Sequence, residues 1–132
     1  SETAGERQFL QYGKGGVRAE AEAGYPLVRS VALPFLAQTS GDLNTRLLDT
    51  LMEIVSEIED SNLIKRAGNV EVIDWSHKQA QKYLVLGGYG TQAGKQFMLE
   101  LNRIFKEKNY SLGGSADLLI ITIFMGLQRG MI

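Results

Sequence analysis

The segment SLGGSADLL at 111–119 contains residue types that could bind an anion beside one that could bind a metal ion. A Gly-Gly pair can turn consecutive backbone N–H groups toward one point and form an anion-binding nest. Free N–H groups at the start of a following helix point the same way. Gly113, Gly114 and Ser115 are therefore candidate contacts for phosphate oxygens, and Asp117 is a candidate ligand of a bridging Mg²⁺. A capped helix that follows a tight turn explains the same residues without a ligand.

A second polar cluster, EDSNLIKRAG at 59–68, also combines oxygen ligands with cations. Asp60 and Asn62 offer the hard oxygen atoms that Mg²⁺ prefers. Lys65 and Arg66 follow within one or two helical turns and could bind phosphate oxygens. The alternative is a polar helix end with a glycine stop at Gly68, which needs no ligand.

The third cluster is GGVRAEAEAGYP at 15–26. Arg18 could bind phosphate through its planar guanidinium group, while a nearby glutamate, Glu20 or Glu22, could handle a metal ion or a proton. Arg18 and Glu22 share one helix face because they are four residues apart. A solvated helix with an internal ion pair is therefore the alternative interpretation.

The residue inventory argues against several other chemistries. The chain has one histidine, His77, and no cysteine, so we expect neither a catalytic triad nor a histidine or thiolate metal centre. The phosphate-binding motif GxxxxGK followed by serine or threonine is absent, as is GxGxxG. We expect His77 to be a surface or partly buried residue. We expect LVLGGYGTQAG at 84–94 to be a flexible loop, with a substrate lid as an alternative that no other residue supports.

The elements that must position these clusters are predicted to be helices. Apolar residues recur at steps of three and four over Asp42–Ile58, the pattern of an amphipathic helix that Ser40 or Asp42 could cap. The other helices predicted from the pattern are Glu2–Tyr12, Val17–Ala23, Leu27–Leu36, one that follows Asn69 and ends at Gly87–Gly88, Thr91–Lys108 and Gly113–Arg129.

The last of these segments contains IITIF, a β-branched run that could form a strand. A single strand would have no partner elsewhere in the chain, so we predict a buried helix instead. The fold class is therefore all-α, a multi-helix bundle with glycine-rich turns. The length of 132 residues predicts one domain.

Composition and charge limit the partners. A formal net charge of -1 argues against nucleic-acid binding by a basic surface. The longest apolar run, Leu118–Leu127, is about half as long as a membrane helix, so we expect no membrane span. The absence of cysteine agrees with a cytoplasmic location. The chain starts at Ser1 in mid-pattern, so we expect a processed product or a fragment, and a homo-oligomer is left open.

Taken together, the three clusters resemble the C-terminal portion of the triphosphoribosyl-dephospho-CoA synthase family. The resemblance rests on TAGERQFLQYGKGGVRAEAEAGYPLV, DSNLIKR and NYSLGGSADLL and spans nearly the whole chain. Members of that family are helical and join ATP to 3'-dephospho-CoA with release of adenine. The product, 2'-(5''-triphosphoribosyl)-3'-dephospho-CoA, is the prosthetic-group precursor for the acyl carrier protein of citrate lyase or malonate decarboxylase. Family members also carry an N-terminal half, so residues 1–132 are expected to be the C-terminal helical domain of a longer synthase.

The resemblance implies a role for each cluster. In the family reaction the 2'-hydroxyl of dephospho-CoA replaces adenine on a ribose carbon of ATP, through an oxocarbenium-like centre. Glu20 is the candidate carboxylate that takes the hydroxyl proton or is linked to the metal. Two interpretations without catalysis stay open, a nucleotide- or CoA-binding helical module and a plain helical interaction domain. The candidate Mg²⁺ ligands are Asp60, Asn62 and Asp117, and the candidate substrate contacts are Arg18, Lys65, Arg66, Gly113, Gly114 and Ser115.

Overall fold

The structure, a computed structural model, describes residues 16–132. Every regular element in this part of the chain is helical, which confirms the all-α prediction. A π-helical turn at Val28–Ala32 leads directly into α2, and a 3₁₀ turn at Gly88–Gly90 precedes α6. The predicted helix Glu2–Tyr12 lies outside the described residues. The seven α-helices within 16–132 are α1 (Val17–Glu22), α2 (Leu33–Gln38), α3 (Leu43–Val55), α4 (Ser61–Ala67), α5 (Glu71–Val85), α6 (Gln92–Lys108) and α7 (Gly113–Gln128).

Helix α3 is the central element of the bundle, and it contacts α2, α5 and α7. Its N-terminus is capped by Asp42, whose Oδ1 accepts the N–H of Thr45 at 2.8 Å. Its apolar stripe divides between two core clusters. Ile54 packs with Leu118 of α7, and Met52 packs with Tyr83 of α5. The amphipathic pattern that predicted this helix therefore also fixes the positions of its neighbours.

The segment 59–68 contains the separate short helix α4, where the sequence analysis expected either a ligand cluster or a polar helix end. Asp60 caps α4 at its N-terminus, and Gly68 ends it in the left-handed conformation with φ 77°. Leu63 and Ile64 are buried in a third core cluster with residues of α5. The apolar pair fixes α4 to the bundle, so its polar residues are held at the cap and on the outer face.

Helix α7 confirms the prediction of a helix rather than a strand at the end of the chain. The prediction that it is buried is confirmed for one face only, which carries Leu118, Thr122 and Gly126. The opposite face forms an apolar stripe, made of Ile120, Phe124 and Leu127, whose residues are 51%, 63% and 55% exposed. No element within 16–132 covers this stripe. No helix in the same range is long and apolar enough to cross a membrane.

The segment 84–94, expected to be a flexible loop, is a tight connection between α5 and α6. Gly87 and Gly88 have φ values of 101° and 66°, a conformation that favours glycine. A Cβ on Gly94 would lie 1.7 Å from the carbonyl oxygen of Gly88, so the two backbones are in direct contact. The glycines are therefore required by packing and backbone conformation.

We expect Gly94→Ala to lower the free energy of unfolding by about 1–3 kcal/mol, because the backbone at Gly88 must move to admit the methyl group. Gly90→Ala is a matched control, since a Cβ on Gly90 would meet no atom within 4 Å. We expect Gly90→Ala to change the free energy of unfolding by no more than about 0.5 kcal/mol. Urea unfolding of both variants measures the difference, and equal stability of the two would contradict the packing described for this turn.

Candidate functional site

Asp60 joins two of the three polar clusters. It is 1% exposed and accepts hydrogen bonds from the starts of both α4 and α7. Oδ1 accepts the N–H groups of Asn62, Leu63 and Gly114 at 3.0, 3.2 and 3.3 Å. Oδ2 accepts the N–H and the hydroxyl of Ser115 at 2.8 and 2.7 Å. One carboxylate therefore caps two helices. Its contact with Gly114 joins residues that are 54 positions apart in the chain.

This contact explains the Gly113–Gly114 pair. A Cβ on Gly114 would lie 3.0 Å from Oδ1 of Asp60, and one on Gly113 would lie 2.8 Å from Nδ2 of Asn62. The pair thus permits close approach between α7 and α4. The N–H groups of Gly114 and Ser115, predicted to contact phosphate, have the Asp60 carboxylate as acceptor, and the N–H of Gly113 donates to Oγ of Ser111 at 3.2 Å. Phosphate binding by these three residues stays a prediction.

Asp60 does not fit the predicted role of a magnesium ligand in this arrangement. A carboxylate offers about four lone-pair positions, and the Asp60 oxygens already accept five hydrogen bonds. Within 16–132, no three or more His, Cys, Asp or Glu side chains form a group that could hold a metal ion. Asn62 and Asp117 are exposed. Magnesium binding by these two residues stays a prediction.

Gly16 brings the remaining polar cluster against α4. A Cβ on Gly16 would lie 3.3 Å from the carbonyl oxygen of Glu59 and 3.3 Å from Oγ of Ser61. The start of α1 therefore packs on the residues that flank Asp60, and α1 also contacts α7. The three clusters lie side by side around the N-terminus of α4, although they are far apart in the sequence.

Glu20 caps the helical turn that follows Pro26. Both carboxylate oxygens lie 3.0 Å from the backbone nitrogen of Leu27, and Oε2 also lies 3.4 Å from that of Val28. Glu20 is partly buried, and the chain reverses between α1 and this turn through Tyr25 at φ 60°. The carboxylate is thus oriented by backbone donors and keeps lone pairs that could accept a proton.

The three candidate cations all lie at the surface. Arg18 pairs with Glu22 at 3.2 Å, with side chains 76% and 69% exposed, so the predicted internal ion pair is present. Such an exposed pair is worth only about 0–1 kcal/mol, and a phosphate group could compete for the guanidinium. Arg66 donates to the carbonyl oxygen and to Oδ1 of Asn109, both at 3.0 Å, which ties α4 to the end of α6. Lys65 is exposed, and phosphate binding by all three stays a prediction.

His77 is partly buried, as expected. Its Nε2 lies 2.7 Å from the carbonyl oxygen of Ile58, so that nitrogen carries the proton and donates it. The ring therefore supports the segment that leads into Asp60.

Asp49 is a polar residue that the sequence analysis did not single out. Its Oδ1 accepts the hydroxyl of Tyr83 at 2.6 Å and the N–H of Tyr89 at 3.0 Å. Burial, together with this hydrogen bond, raises the pKa of Tyr83, so its hydroxyl stays neutral and donates. The available signal was a carboxylate inside the leucine repeat of α3, next to Leu48 and near Leu51.

The chain is similar to two curated bacterial proteins over almost its whole length. It is 60% identical over 130 residues to "Probable 2-(5''-triphosphoribosyl)-3'-dephosphocoenzyme-A synthase" of Lactiplantibacillus plantarum, and the match covers 98% of this chain and 46% of that protein. It is 48% identical over 129 residues to "Protein CitXG" of Leuconostoc mesenteroides subsp. cremoris, with coverage of 98% and 28%. The chain therefore spans about half the length of the first relative and less of the second. No solved structure matches it.

A family model agrees with the resemblance that the three clusters indicated. The model described as "CitG: ATP:dephospho-CoA triphosphoribosyl transferase" matches residues 1–131, a range that includes every candidate site residue. The chain therefore belongs to the ATP:dephospho-CoA triphosphoribosyl transferase family, CitG.

Proposed function

We propose that this chain is part of a cytoplasmic triphosphoribosyl-dephospho-CoA synthase, a transferase that joins ATP to 3'-dephospho-CoA and releases adenine. Its product is 2'-(5''-triphosphoribosyl)-3'-dephospho-CoA, the prosthetic-group precursor for the acyl carrier protein of citrate lyase or malonate decarboxylase. The observation that carries the proposal is the meeting of the three polar clusters around the N-terminus of α4. Family membership supports it independently, because the family model spans all three clusters.

The proposed reaction breaks the bond between the ribose C1' and the adenine N9 of ATP. A new bond joins the same carbon to the 2'-oxygen of dephospho-CoA, and the bonding electron pair leaves with adenine. The hydroxyl proton passes to a general base and then to the departing adenine, so the step is balanced. We assign the base to Glu20, whose carboxylate is oriented by the N–H groups of Leu27 and Val28.

The cations of α1 and α4 are proposed to bind the triphosphate. Arg18, Lys65 and Arg66 are exposed cations on α1 and α4, the two helices that meet at Gly16. Asn62 and Asp117 are proposed to contact the Mg²⁺ that accompanies ATP, since hard oxygen ligands suit that ion. The proposed contribution of these residues is binding and orientation of the phosphates.

We also propose that the rest of the enzyme covers the apolar stripe of α7. The first curated relative is about twice as long as the match, so a further polypeptide of similar size accompanies the matched region there. Ile120, Phe124 and Leu127 are at least half exposed in residues 16–132. Burying each of them would stabilise the contact by about 1.5–3 kcal/mol at most.

The test compares this chain with an enzyme that carries both halves. Calorimetry measures binding of ATP with Mg²⁺ and of 3'-dephospho-CoA, and chromatography measures released adenine. Binding by the chain with adenine release only by the two-half enzyme is the expected result. Binding by both proteins with release by neither would favour the alternative, a binding module, which the 46% coverage makes worth testing. If no protein binds these substrates and none releases adenine, both interpretations are contradicted.

We expect Asp117→Asn to lower the rate of adenine release by about 10–100-fold, since it removes a charged oxygen proposed to contact Mg²⁺. A higher Mg²⁺ concentration should restore part of the rate. The control is Asp74→Asn, the same change at an exposed aspartate on α5 that pairs with Lys78. Release by Asp117→Asn at the rate of the control, with no dependence on Mg²⁺, would remove Asp117 from the site.

A further inference from the structure

A second polar feature lies away from the three clusters, at the connection between α5 and α6. A cavity of about 340 Å³ opens between the end of α2, the start of α3 and the 3₁₀ turn at Gly88–Gly90. This volume lies at the lower end of the range for small-molecule sites. None of the residues proposed for the reaction lines the cavity, so a ligand bound there is separate from the reacting groups.

Asp49 presents one free acceptor to this cavity. Both hydrogen bonds that its carboxylate accepts within 16–132, from the Tyr83 hydroxyl and the Tyr89 N–H, go to Oδ1. No buried side-chain oxygen or nitrogen in the same range lacks a partner, so the unpaired Oδ2 is reached by solvent. Because Asp49 lines the cavity, Oδ2 is available to a ligand.

The packing around Asp49 holds this arrangement in place. A Cβ on Gly88 would lie 2.6 Å from Oδ1 and 2.8 Å from Oδ2, so the turn closes directly onto the carboxylate. Tyr83 is fully buried and remains a donor because its pKa is raised by burial and by the Asp49 hydrogen bond. The carboxylate is thus oriented by the fold before any ligand binds.

The charge of the lining selects the kind of ligand. No lysine or arginine within 16–132 lines the cavity, so its one charged group there is the Asp49 carboxylate. Arg46, one turn earlier on α3, uses its guanidinium elsewhere, since Nε donates to Oγ1 of Thr39 at 3.0 Å and Nη2 donates to two backbone carbonyl oxygens. A phosphate or carboxylate ligand would be repelled by Asp49, whereas a cation would be attracted.

The rest of the lining favours an organic cation over a metal ion. A metal ion such as Mg²⁺ or Ca²⁺ takes six or more oxygen ligands, usually with several carboxylates, and Asp49 is the one carboxylate in the described lining. Phe35 and Leu84 add apolar surface. The Phe35 ring is partly buried but belongs to none of the three core clusters, so its surface can contact a ligand.

We propose that this cavity binds a primary amine carried on a short apolar chain. The ammonium group donates a hydrogen bond to Oδ2 of Asp49, and the apolar chain lies against Phe35 and Leu84. A charge-assisted hydrogen bond of this kind is about twice as strong as a neutral one. The inference goes beyond the proposed function and does not depend on it, because the ligand class follows from the charge and the lining of the cavity.

The test is an NMR titration of this chain with n-butylammonium. The backbone amide resonance of Tyr89 reports on the site, because its N–H donates to Oδ1 of the same carboxylate. Two comparison ligands separate charge from shape. n-Butanol has the same chain without the charge, and tetramethylammonium has the charge without an N–H donor. We expect a saturable shift with n-butylammonium and affinities about 10-fold lower for the other two ligands.

Asp49→Asn is the informative variant. The Tyr89 N–H can only donate, so it holds the amide oxygen of Asn in the place of Oδ1 and turns the amide N–H₂ toward the cavity. We expect n-butylammonium affinity to fall by about 10–100-fold while n-butanol affinity does not fall. Asp74→Asn, the same change at an exposed aspartate on α5, is the control and should bind n-butylammonium normally.

A second variant tests the cavity without changing Asp49. Gly90 lines the cavity, and a Cβ on it would meet no atom within 4 Å. We therefore expect Gly90→Leu to fold and to lose n-butylammonium binding, because the new side chain takes up part of the space.

Every outcome decides the inference. The absence of a shift, or a shift that Asp49→Asn and Gly90→Leu both leave unchanged, would overturn the amine site. An equal response to potassium chloride would identify a site for inorganic cations and would also overturn it. Binding that both variants lose would support the site, whether or not the two-half enzyme releases adenine.

Discussion

Asp60→Ala is expected to lower the free energy of unfolding by about 3–5 kcal/mol, a large part of the 5–15 kcal/mol typical of a whole domain. The change leaves four backbone N–H groups and the Ser115 hydroxyl without the carboxylate that accepts their hydrogen bonds. Each buried donor that loses its acceptor costs about 1–3 kcal/mol, reduced where water or a neighbour replaces it. The same change also removes the contact that joins α4 to α7.

Urea unfolding followed by circular dichroism measures this loss. Asp60→Asn should lower the free energy of unfolding by less than Asp60→Ala does. Its amide oxygen can still accept hydrogen bonds from one helix, while its N–H₂ group faces the donors of the other. Ser115→Ala removes one hydrogen bond and should cost about 1 kcal/mol. An Asp60→Ala protein as stable as Ser115→Ala would show that this carboxylate does not join the two helix starts.

Glu20→Gln is expected to lower the rate of adenine release by about 10²–10⁴-fold while the protein stays folded. The glutamine side chain keeps a carbonyl oxygen that can accept the N–H groups of Leu27 and Val28, so the helical turn keeps its cap. It cannot accept a proton near neutral pH. The variant therefore separates the proposed role of Glu20 as a base from its structural role.

The measurement is adenine release by an enzyme that carries both halves, together with the thermal unfolding midpoint. Glu71→Gln makes the same chemical change at an exposed position in the first turn of α5 and should leave both values unchanged. Normal turnover by Glu20→Gln would exclude Glu20 as the base. A low rate that coincides with a much lower unfolding midpoint would assign Glu20 to the cap alone.

The amphipathic helices were predictable because their evidence is local. Helices α3, α5 and α6 have long apolar repeats, and α3 and α6 also carry capping residues, Asp42 and Thr91. Helix α4 was missed as a separate element, since its seven residues are too few for a repeat to stand out. Its two end signals, Asp60 and Gly68, were visible but were interpreted as one helix end.

The candidate site was predictable only in its residue types and in its family resemblance. The three clusters lie side by side around the N-terminus of α4, and that they form one ligand site stays a prediction. That Asp60 accepts the N–H groups of Gly114 and Ser115 could not be predicted, because the contact with Gly114 spans 54 positions and depends on how α7 packs. Asp49 was missed for the same reason, since Tyr83 and Tyr89 reach it only in the folded chain.

The shared cap also has a consequence for the order in which the helices form. Starting a helix is costly, and α7 begins with two glycines, among the weakest helix formers. The residue at its N-cap, Leu112, makes no side-chain hydrogen bond. α3 and α6 carry their own caps and can nucleate from nearby residues alone. We infer that α7 completes its first turn only after α4 has brought Asp60 into place, which makes it a late step in folding.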